Sequence, residues 1–127
     1  MQVEAHSANE TVEVVDGVYL TQLAVGERTS VQHVHMEPGA VVPEHSHEHE
    51  QVGYIAGGSG VFVVDSDASS THRVNGEPVN GDEFPVSSGD SYHLASEEPH
   101  SLENTGDDPL EGLDVFSPAR GNPDWMD

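Results

Sequence analysis

The sequence predicts an all-β protein that folds as one domain. A chain of 127 residues has room for one hydrophobic core and little else. Apolar runs of about four to eight residues, rich in Val, Tyr, Phe and Thr, recur along it between Gly, Pro, Asn and Asp. No segment sustains the helical period of about 3.6 residues. Short strands at regular spacing are typical of a sandwich or a barrel, and we expect residues 1–127 to form one such domain.

The apolar runs define the expected strands, and polar stretches separate them. Residues 66–83 are polar and contain the turn signals Asn75-Gly76 and Asn80-Gly81, which predict a hairpin or flap; a solvated insertion is the alternative. Residues 1–10 are interpreted as a loose lead-in, and the tail with Trp125 as a docking segment or a loose end. The predicted strands are Thr11–Val15, Val18–Ala24, Thr29–Met36, Gln51–Ala56, Gly60–Asp65, Thr71–Val74, Ser91–Leu94, His100–Asn104 and Leu113–Phe116.

The net charge is the most unusual property of the composition. The chain carries a formal charge of −21 at pH 7, and its three cations are Arg28, Arg73 and Arg120. High charge with modest hydrophobicity can indicate disorder, but the repeated apolar runs favour a folded chain. We interpret the acidity as adaptation to concentrated salt, where a Debye length of about 3 Å at 1 M leaves surface carboxylates little mutual repulsion. An acidic surface in an ordinary cell is the alternative.

The charge and composition also exclude several classes of partner. Nucleic acids and anionic membrane surfaces are bound through Lys and Arg, which this chain almost lacks. No apolar stretch approaches the roughly 18 residues of a membrane span, and the polar residues 1–10 do not resemble a signal peptide. Without cysteine there is neither a disulfide nor a thiol nucleophile. We expect a soluble cytoplasmic protein whose partner is a small molecule.

Histidines are concentrated in one short segment, residues 44–51. His45 and His47 are two positions apart, so on a strand both imidazoles reach the same ion. A straight strand would place His49 and Gln51 on that face too, but spread over about 20 Å at ~3.3 Å per residue, too far for one metal. The chain must therefore bend after His47 if Gln51 is to return to the ion. His49 is then expected beside the site or in solvent.

The spacing around this cluster resembles a known family. The pattern Gly39-x5-His45-x-His47-x3-Gln51-x6-Gly58, in residues 39–58, resembles the first motif of the cupins, with Gln51 where Glu is commonest.

Residues 89–104 resemble the second cupin motif, with Gly89-Asp90 at the start and Pro99-His100 and Asn104 at the end. Ala95 and Glu97 depart from it, at positions where Pro and Gly are usual. The resemblance implies a single-domain cupin with a jelly-roll β-barrel. It also implies one divalent metal ion, whose ligands are His45, His47, Gln51 and His100.

Three imidazoles and one amide give the ion no negative charge. A divalent metal then acts as a stronger Lewis acid than it would beside a carboxylate, which favours polarising a substrate oxygen over oxygen activation. Ligand softness permits Mn, Fe, Co, Ni, Cu or Zn. Another pair of histidines, His33 and His35, also alternates along a predicted strand. Because Val34 and Met36 suit the interior better, we expect both histidines at the surface or at a subunit interface.

The motif Leu-Asp-Val-Phe-Ser-Pro-Ala-Arg, residues 113–120, is the second informative stretch. Asp114 and Phe116 share one face of the predicted strand, and periodicity alone favours neither face as the inner one. If they face inward, a carboxylate and an aromatic ring lie near the metal, and Arg120 could clamp a substrate carboxylate. If they face outward, Arg120 belongs to a surface ion pair.

Together, the histidine cluster and this final motif resemble the KdgF type of small cupins, which act in pectin and alginate breakdown. Those proteins convert 4,5-unsaturated monouronates into linear keto forms. The resemblance implies that the metal polarises oxygens of a sugar acid and that Asp114 moves a proton. It also implies that Arg120 holds the carboxylate and that Phe116 packs against the ring. Glu48, where Pro is frequent, is a small departure.

Two other functions remain open at this point. One is a different metal-dependent cupin enzyme, such as a dioxygenase or another isomerase. The other is a non-catalytic cupin that binds or senses a small molecule, in which case Asp114 should face outward. We also expect a homodimer, since small cupins often pair through sheet edges that a barrel of this size otherwise exposes.

Overall fold

The computed structural model describes residues 1–64, 71–74, 77–80, 82–121 and 123, the two short ranges by their backbone alone. The turn at Asn75-Gly76, Gly81 and Trp125 lie outside the described residues. Within these ranges no helix is long and apolar enough to cross a bilayer. The described elements are a 3-10 helix at His6–Ala8 and the strands β1 Thr11–Val15, β2 Val18–Val25, β3 Ser30–Met36, β4 Val41–His45, β5 Glu50–Gly57, β6 Ser59–Val64, β7 Thr71–Val74, β8 Glu77–Asn80, β9 Asp82–Ser87, β10 Ser91–Leu94, β11 His100–Glu103 and β12 Leu110–Ser117.

Ten of the described strands form two antiparallel sheets that enclose the core. The larger sheet has the order β1-β2-β3-β12-β5-β10, and the smaller one has the order β4-β11-β6-β9. Strands β7 and β8 pair with each other, with Val74 opposite Glu77. Side chains from both sheets meet in a single apolar cluster. This jelly-roll architecture confirms the predicted all-β fold class.

The predicted strands occur, some with shifted ends, but β4, β8 and β9 were not predicted. Strand β4 contains Pro43 and Glu44, and most of its residues are exposed, so it has no apolar run. Strand β9 is an edge strand whose Phe84 is exposed. Because β4 ends at His45, the structure also corrects the idea that His45 and His47 lie on the same strand. His47 instead lies in the loop that follows.

Alternation along β3 shows how the sequence selects the inner face. Ser30, Gln32, Val34 and Met36 are buried, and the residues between them are only partly buried. His33 and His35 therefore lie on the outer face, where both contact Glu111 of β12. The period of two that predicts a strand thus also predicts which histidines lie outside the barrel.

Register across the larger sheet aligns polar residues that are far apart in sequence. Gln32 lies opposite both Gln22 and Asp114, and Gly53 lies opposite both Asp114 and Tyr92. We call Gln22, Gln32, Asp114, Gly53 and Tyr92 the polar row.

Apolar side chains adjoin the polar row on the inner face of the sheet. Val34, two residues along β3 from Gln32, lies opposite Leu20 of β2. Ile55 occupies the corresponding place on β5, two residues from Gly53. Met36 and Leu110 follow further along and are completely buried. The interior therefore has an apolar end, which forms the core, and a polar end.

Candidate metal centre

Three histidines meet at the polar end of the barrel. His45 ends β4 and lies opposite His100, which begins β11. His47 lies in the loop, and the chain bends at residues 48–49 before β5 starts at Glu50. One ring nitrogen from each histidine lies within 4.8 Å of those of the other two, close enough to hold one ion.

Backbone carbonyls determine which ring nitrogen of each of the three histidines carries the proton. The Nδ1–H groups of His45, His47 and His100 donate to the carbonyl oxygens of Pro43, His49 and Glu98, at 2.9, 2.9 and 2.8 Å. A neutral imidazole that donates from Nδ1 keeps its lone pair on Nε2. Metal-binding histidines are typically oriented by such a hydrogen bond from the other ring nitrogen. The donor set therefore fits a metal ion bound through three Nε2 atoms.

Gln51 supplies an oxygen to the same place. It is 6% exposed, and its Oε1 lies 3.2 Å from His47 Nε2. The side chain also hydrogen-bonds to Asp114. Because a carboxylate only accepts, the amide nitrogen of Gln51 faces Asp114 and the amide oxygen faces the histidines. Two acceptor atoms, Nε2 and Oε1, then face each other, an arrangement that suits a shared cation.

Burial favours the neutral form of two of the imidazoles, His100 and His47. The pKa of His100 is lowered to about 4, chiefly by burial; the charges of His45 and His47 act in the same direction, and the hydrogen bond to the Glu98 carbonyl opposes them. Burial is also the main cause of the lowered pKa of His47, and Arg120 contributes in the same direction. A divalent metal therefore does not have to displace a proton from either ring at neutral pH.

Asp114 faces the interior and is held by a network of donors. Its side chain is 6% exposed. The Tyr92 hydroxyl donates to Oδ1, and Gln32 Nε2 lies 3.5 Å from Oδ2. Burial raises the pKa of Asp114, although the hydrogen bonds from Tyr92, Gln51 and Gln32 oppose this rise. A carboxylate in this setting can hold a proton closer to neutral pH than an exposed one.

Sequence reasoning missed Tyr92, and the register explains its role. Tyr92 reaches Asp114 across Gly53, which has no side chain to block it. A Cβ atom at Gly53 would overlap the Tyr92 phenol and lie 2.8 Å from Asp114 Oδ1. The sequence did carry one signal: Tyr92 lies two residues before Leu94, which is buried, so the two side chains share one face of the strand.

A cavity of about 120 Å³ connects these groups. Its apolar wall continues into the core, and its polar wall carries two of the three histidines and three members of the polar row, Gln32, Tyr92 and Asp114. The lining residues are Val14, Val18, Leu20, Gln32, Val34, Val42, His45, Gln51, Phe62, Tyr92, His100, Leu102, Asp114, Phe116 and Arg120.

Arg120 is fixed at this cavity through its backbone. Its N–H donates to Ser30 Oγ at 2.7 Å, and its carbonyl accepts from Gln22 Nε2 at 2.7 Å. Its guanidinium carbon lies 5.1 Å from the ring centroid of Phe116, which also packs edge-on against His47 at 5.7 Å. The structure thus brings Asp114, Phe116 and Arg120 to the same cavity as three of the predicted ligands, His45, Gln51 and His100, and His47 packs against Phe116.

Other residues singled out in the sequence have local structural contacts. His49 is not among the converging histidines, and its Nδ1 donates to the Pro118 carbonyl at 2.8 Å. Asn104 is buried and donates to the carbonyls of Met36 and Asp108, which fixes the turn before β12. Glu97 has φ of 67°, the left-handed region in which glycine is favoured, at a position where the second motif usually has Gly.

Comparison with known proteins agrees with this geometry. Residues 32–116 match the family model described as the cupin domain. This match covers most of the chain, which therefore belongs to the cupin family.

The relatives found by sequence are longer proteins. An oxalate-binding protein of Thermotoga maritima is 38% identical over 82 residues, which cover 64% of this chain and 55% of that protein. Auxin-binding protein 1 of Arabidopsis thaliana is 31% identical over 81 residues, which cover 63% of this chain and 37% of that one. The chain thus spans about half the length of these relatives or less.

Among solved structures, KdgF from Halomonas sp. superposes with a TM-score of 0.73 at 23% identity. The alignment covers 95% of this chain and 96% of that chain. This likeness shows a shared fold over nearly the full length of both proteins.

Proposed function

We propose that this cupin is a metal-dependent enzyme that converts 4,5-unsaturated uronates into their linear keto forms. The observation that carries the proposal is the position of Asp114, a buried carboxylate that lines the same cavity as His45 and His100. A metal-binding protein needs the histidines alone, whereas an enzyme of this kind also needs a proton carrier beside them.

Four side chains would hold one divalent transition metal ion. These are the Nε2 atoms of His45, His47 and His100 and the Oε1 atom of Gln51. Mn, Fe, Co, Ni, Cu and Zn are all compatible with this donor set. When bound, the metal supplies a Lewis acid that polarises an oxygen of the substrate.

Asp114 would carry the proton in this isomerisation. The substrate loses the proton of its C1 hydroxyl, the bond between C1 and the ring oxygen breaks, and C4 gains a proton. Atoms balance without water or a redox partner. A carboxylate that is buried yet hydrogen-bonded by Tyr92 can accept the first proton and deliver the second.

Arg120 and Phe116 would orient the substrate. Arg120 would bind the substrate carboxylate at the cavity, where the bonds of its backbone to Ser30 and Gln22 fix its position. Phe116 is 1% exposed and lies between His47 and the guanidinium. Its ring would therefore form the edge of the cavity that faces the sugar, and it also holds His47 and the Arg120 guanidinium in place.

The acidic surface supports high salt as the working condition. A chain with a net charge of −21 repels an anionic sugar acid in dilute buffer. In about 1 M salt this repulsion is screened beyond about 3 Å. Activity on an anionic substrate should therefore increase with salt.

We also propose that the protein is a homodimer that pairs through the outer face of the larger sheet. Val52, Tyr54 and Leu113 are 44%, 49% and 38% exposed there, and Leu113 lies opposite Tyr54. Carboxylates on this face are paired with histidines, as in the 2.7 Å contact of Glu50 with His93. Light scattering in high salt should give the mass of two chains, and Leu113→Asp should give the mass of one.

The reaction is tested with metal-loaded protein in about 2 M NaCl. Unsaturated galacturonate or mannuronate is added, and loss of the enol absorbance or the NMR spectrum is followed over time. We expect acceleration over the spontaneous rate. Asp114→Asn keeps an oxygen for the Tyr92 hydroxyl, and should keep the metal but lose roughly 10²- to 10⁴-fold in rate. Metal-bound wild type without acceleration would remove the proposed reaction.

A non-catalytic cupin that binds a small acid is the second candidate, supported by the relative described as an oxalate-binding protein. In that case Asp114→Ala should leave ligand affinity unchanged. A metal-dependent dioxygenase is distinguished by oxygen uptake. The inward position of Asp114 supports the enzyme over the binding protein.

A further inference from the structure

Gln32 holds a buried carbonyl oxygen that the described residues leave without a partner. The side chain is 4% exposed and lines the cavity, and its Oε1 accepts no hydrogen bond. Leaving a buried acceptor unsatisfied is costly, so native structures almost always supply a donor. The donor has to come from something that the described part of the chain does not contain.

The orientation of the amide follows from its neighbour. Gln32 Nε2 lies 3.5 Å from Asp114 Oδ2, and an ionised carboxylate only accepts. The amide nitrogen must therefore face Asp114, and the oxygen must face away. Gln51 is oriented in the same way, but its oxygen faces His47. Asp114 thus receives two amides. The oxygen of Gln51 faces the proposed metal centre, whereas the oxygen of Gln32 faces no donor among the described residues.

No neighbouring side chain of the described residues supplies the missing donor. Gln22, opposite Gln32 on β2, already gives its amide to the Arg120 carbonyl at 2.7 Å. Val34, two residues further along β3, is apolar and buried. The Tyr92 hydroxyl donates to Asp114. Because Gln32 lines the cavity, a group bound there is the remaining source of a donor.

We propose that Gln32 is a specificity-determining residue that accepts a hydrogen bond from a hydroxyl group of the substrate, next to Asp114. This inference rests on the proposed function and assigns the residue that would recognise a hydroxyl group of its sugar-acid substrate. An acid without a hydroxyl group, such as oxalate, offers Gln32 no donor at neutral pH. A site built around a substrate hydroxyl discriminates strongly against analogues that lack it, because its own polar group is then left unpaired.

The test measures binding with probes that do not react. Metal-loaded protein is titrated calorimetrically in high salt with galacturonate, with its monodeoxy analogues and with oxalate. Wild type should bind galacturonate about tenfold or more tightly than one of the deoxy analogues. Gln32→Met should bind galacturonate about tenfold or more weakly than wild type does, and should bind that analogue and galacturonate equally.

Gln22→Met is the matched control, since Gln22 is also a buried glutamine of the polar row but bonds to the Arg120 backbone. It should weaken binding of every carboxylate by the same factor and keep the preference for the hydroxyl. If Gln32→Met does not fold, the wild-type titrations still test the proposal, because equal affinity for galacturonate and all its monodeoxy analogues would refute the role of Gln32.

Two different failures can be distinguished. If wild type binds galacturonate but Gln32→Met keeps the full preference for the hydroxyl, the role of Gln32 is refuted and the proposed reaction stands. If metal-loaded wild type binds oxalate and no hydroxylated acid, both the role of Gln32 and the proposed reaction are wrong.

Discussion

Acidification should destabilise the metal-free protein through His100. This side chain is 4% exposed, and its pKa is lowered from 6.5 to about 4, chiefly by burial. The folded protein therefore keeps His100 neutral at a pH where the unfolded chain protonates it. Since the unfolded state binds more protons in this interval, the free energy of unfolding decreases as the pH falls from 6.5 to 4.

The magnitude follows from the two pKa values. At about 1.4 kcal/mol per pH unit, the interval from 6.5 to about 4 corresponds to roughly 3 kcal/mol. This contribution is intact at pH 7 and lost by pH 4. It is a large share of the 5–15 kcal/mol that is typical of the stability of a domain.

Urea unfolding of chelator-treated protein measures the effect, at several values from pH 4 to 7 in about 2 M NaCl. His100→Gln is the reference, because a glutamine cannot titrate and the many surface carboxylates are common to both proteins. The stability of wild type relative to this variant should fall by roughly 3 kcal/mol between pH 7 and pH 4. Parallel stability curves for the two proteins would refute the reasoning about His100.

Three further predictions concern packing and charge. Gly53→Ala should lower the free energy of unfolding by about 1–3 kcal/mol and lower kcat at least about tenfold, because its Cβ would displace Tyr92 and Asp114. Urea unfolding and initial rates check this, and wild-type values for both would contradict it. Phe116→Ala should lower the free energy of unfolding in the same assay by about 3–5 kcal/mol, since Phe116 is 1% exposed. A loss below about 1 kcal/mol would show that the ring is not packed as described. Lowering NaCl from about 2 M to 0.1 M should reduce the Tm of a protein with a net charge of −21, whereas a Tm independent of salt would contradict the proposed adaptation.

The fold was predictable because most strands carry their own signal. The alternation in β3, for example, depends only on residues that are neighbours in sequence. Strands β4 and β9 lack such a signal. Pro43 and Glu44 break the apolar pattern of β4, and β9 exposes Phe84 and Pro85 at the edge of its sheet.

The inner face of β12 could not be decided from its own residues. Both registers place apolar side chains inside, either Leu113 with Val115 or Phe116 beside Asp114. Burying a carboxylate is unfavourable unless donors meet it. The donors are Tyr92, Gln32 and Gln51, which come from strands distant in sequence. Only the assembled sheet brings them to Asp114, so periodicity alone had to leave both registers open.

For the converging histidines, the sequence predicted one feature of the site but not the others. The spacing required a bend after His47 if Gln51 was to reach the same ion, and the chain bends at residues 48–49. The pairing of His45 with His100 depends on register between β4 and β11, which the sequence did not predict because β4 has no strand signal. The orphan oxygen of Gln32 has no sequence signal either, since it depends on where three neighbouring strands place their donors.

The metal centre is tested most directly by anomalous diffraction from a crystal of the protein loaded with Zn²⁺. One peak is expected at the polar end of the barrel, about 2.1 Å from the Nε2 atoms of His45, His47 and His100 and beside Gln51 Oε1. A well-loaded crystal with no peak at this position, or with its peak at the outer histidines His33 and His35, would contradict the central claim.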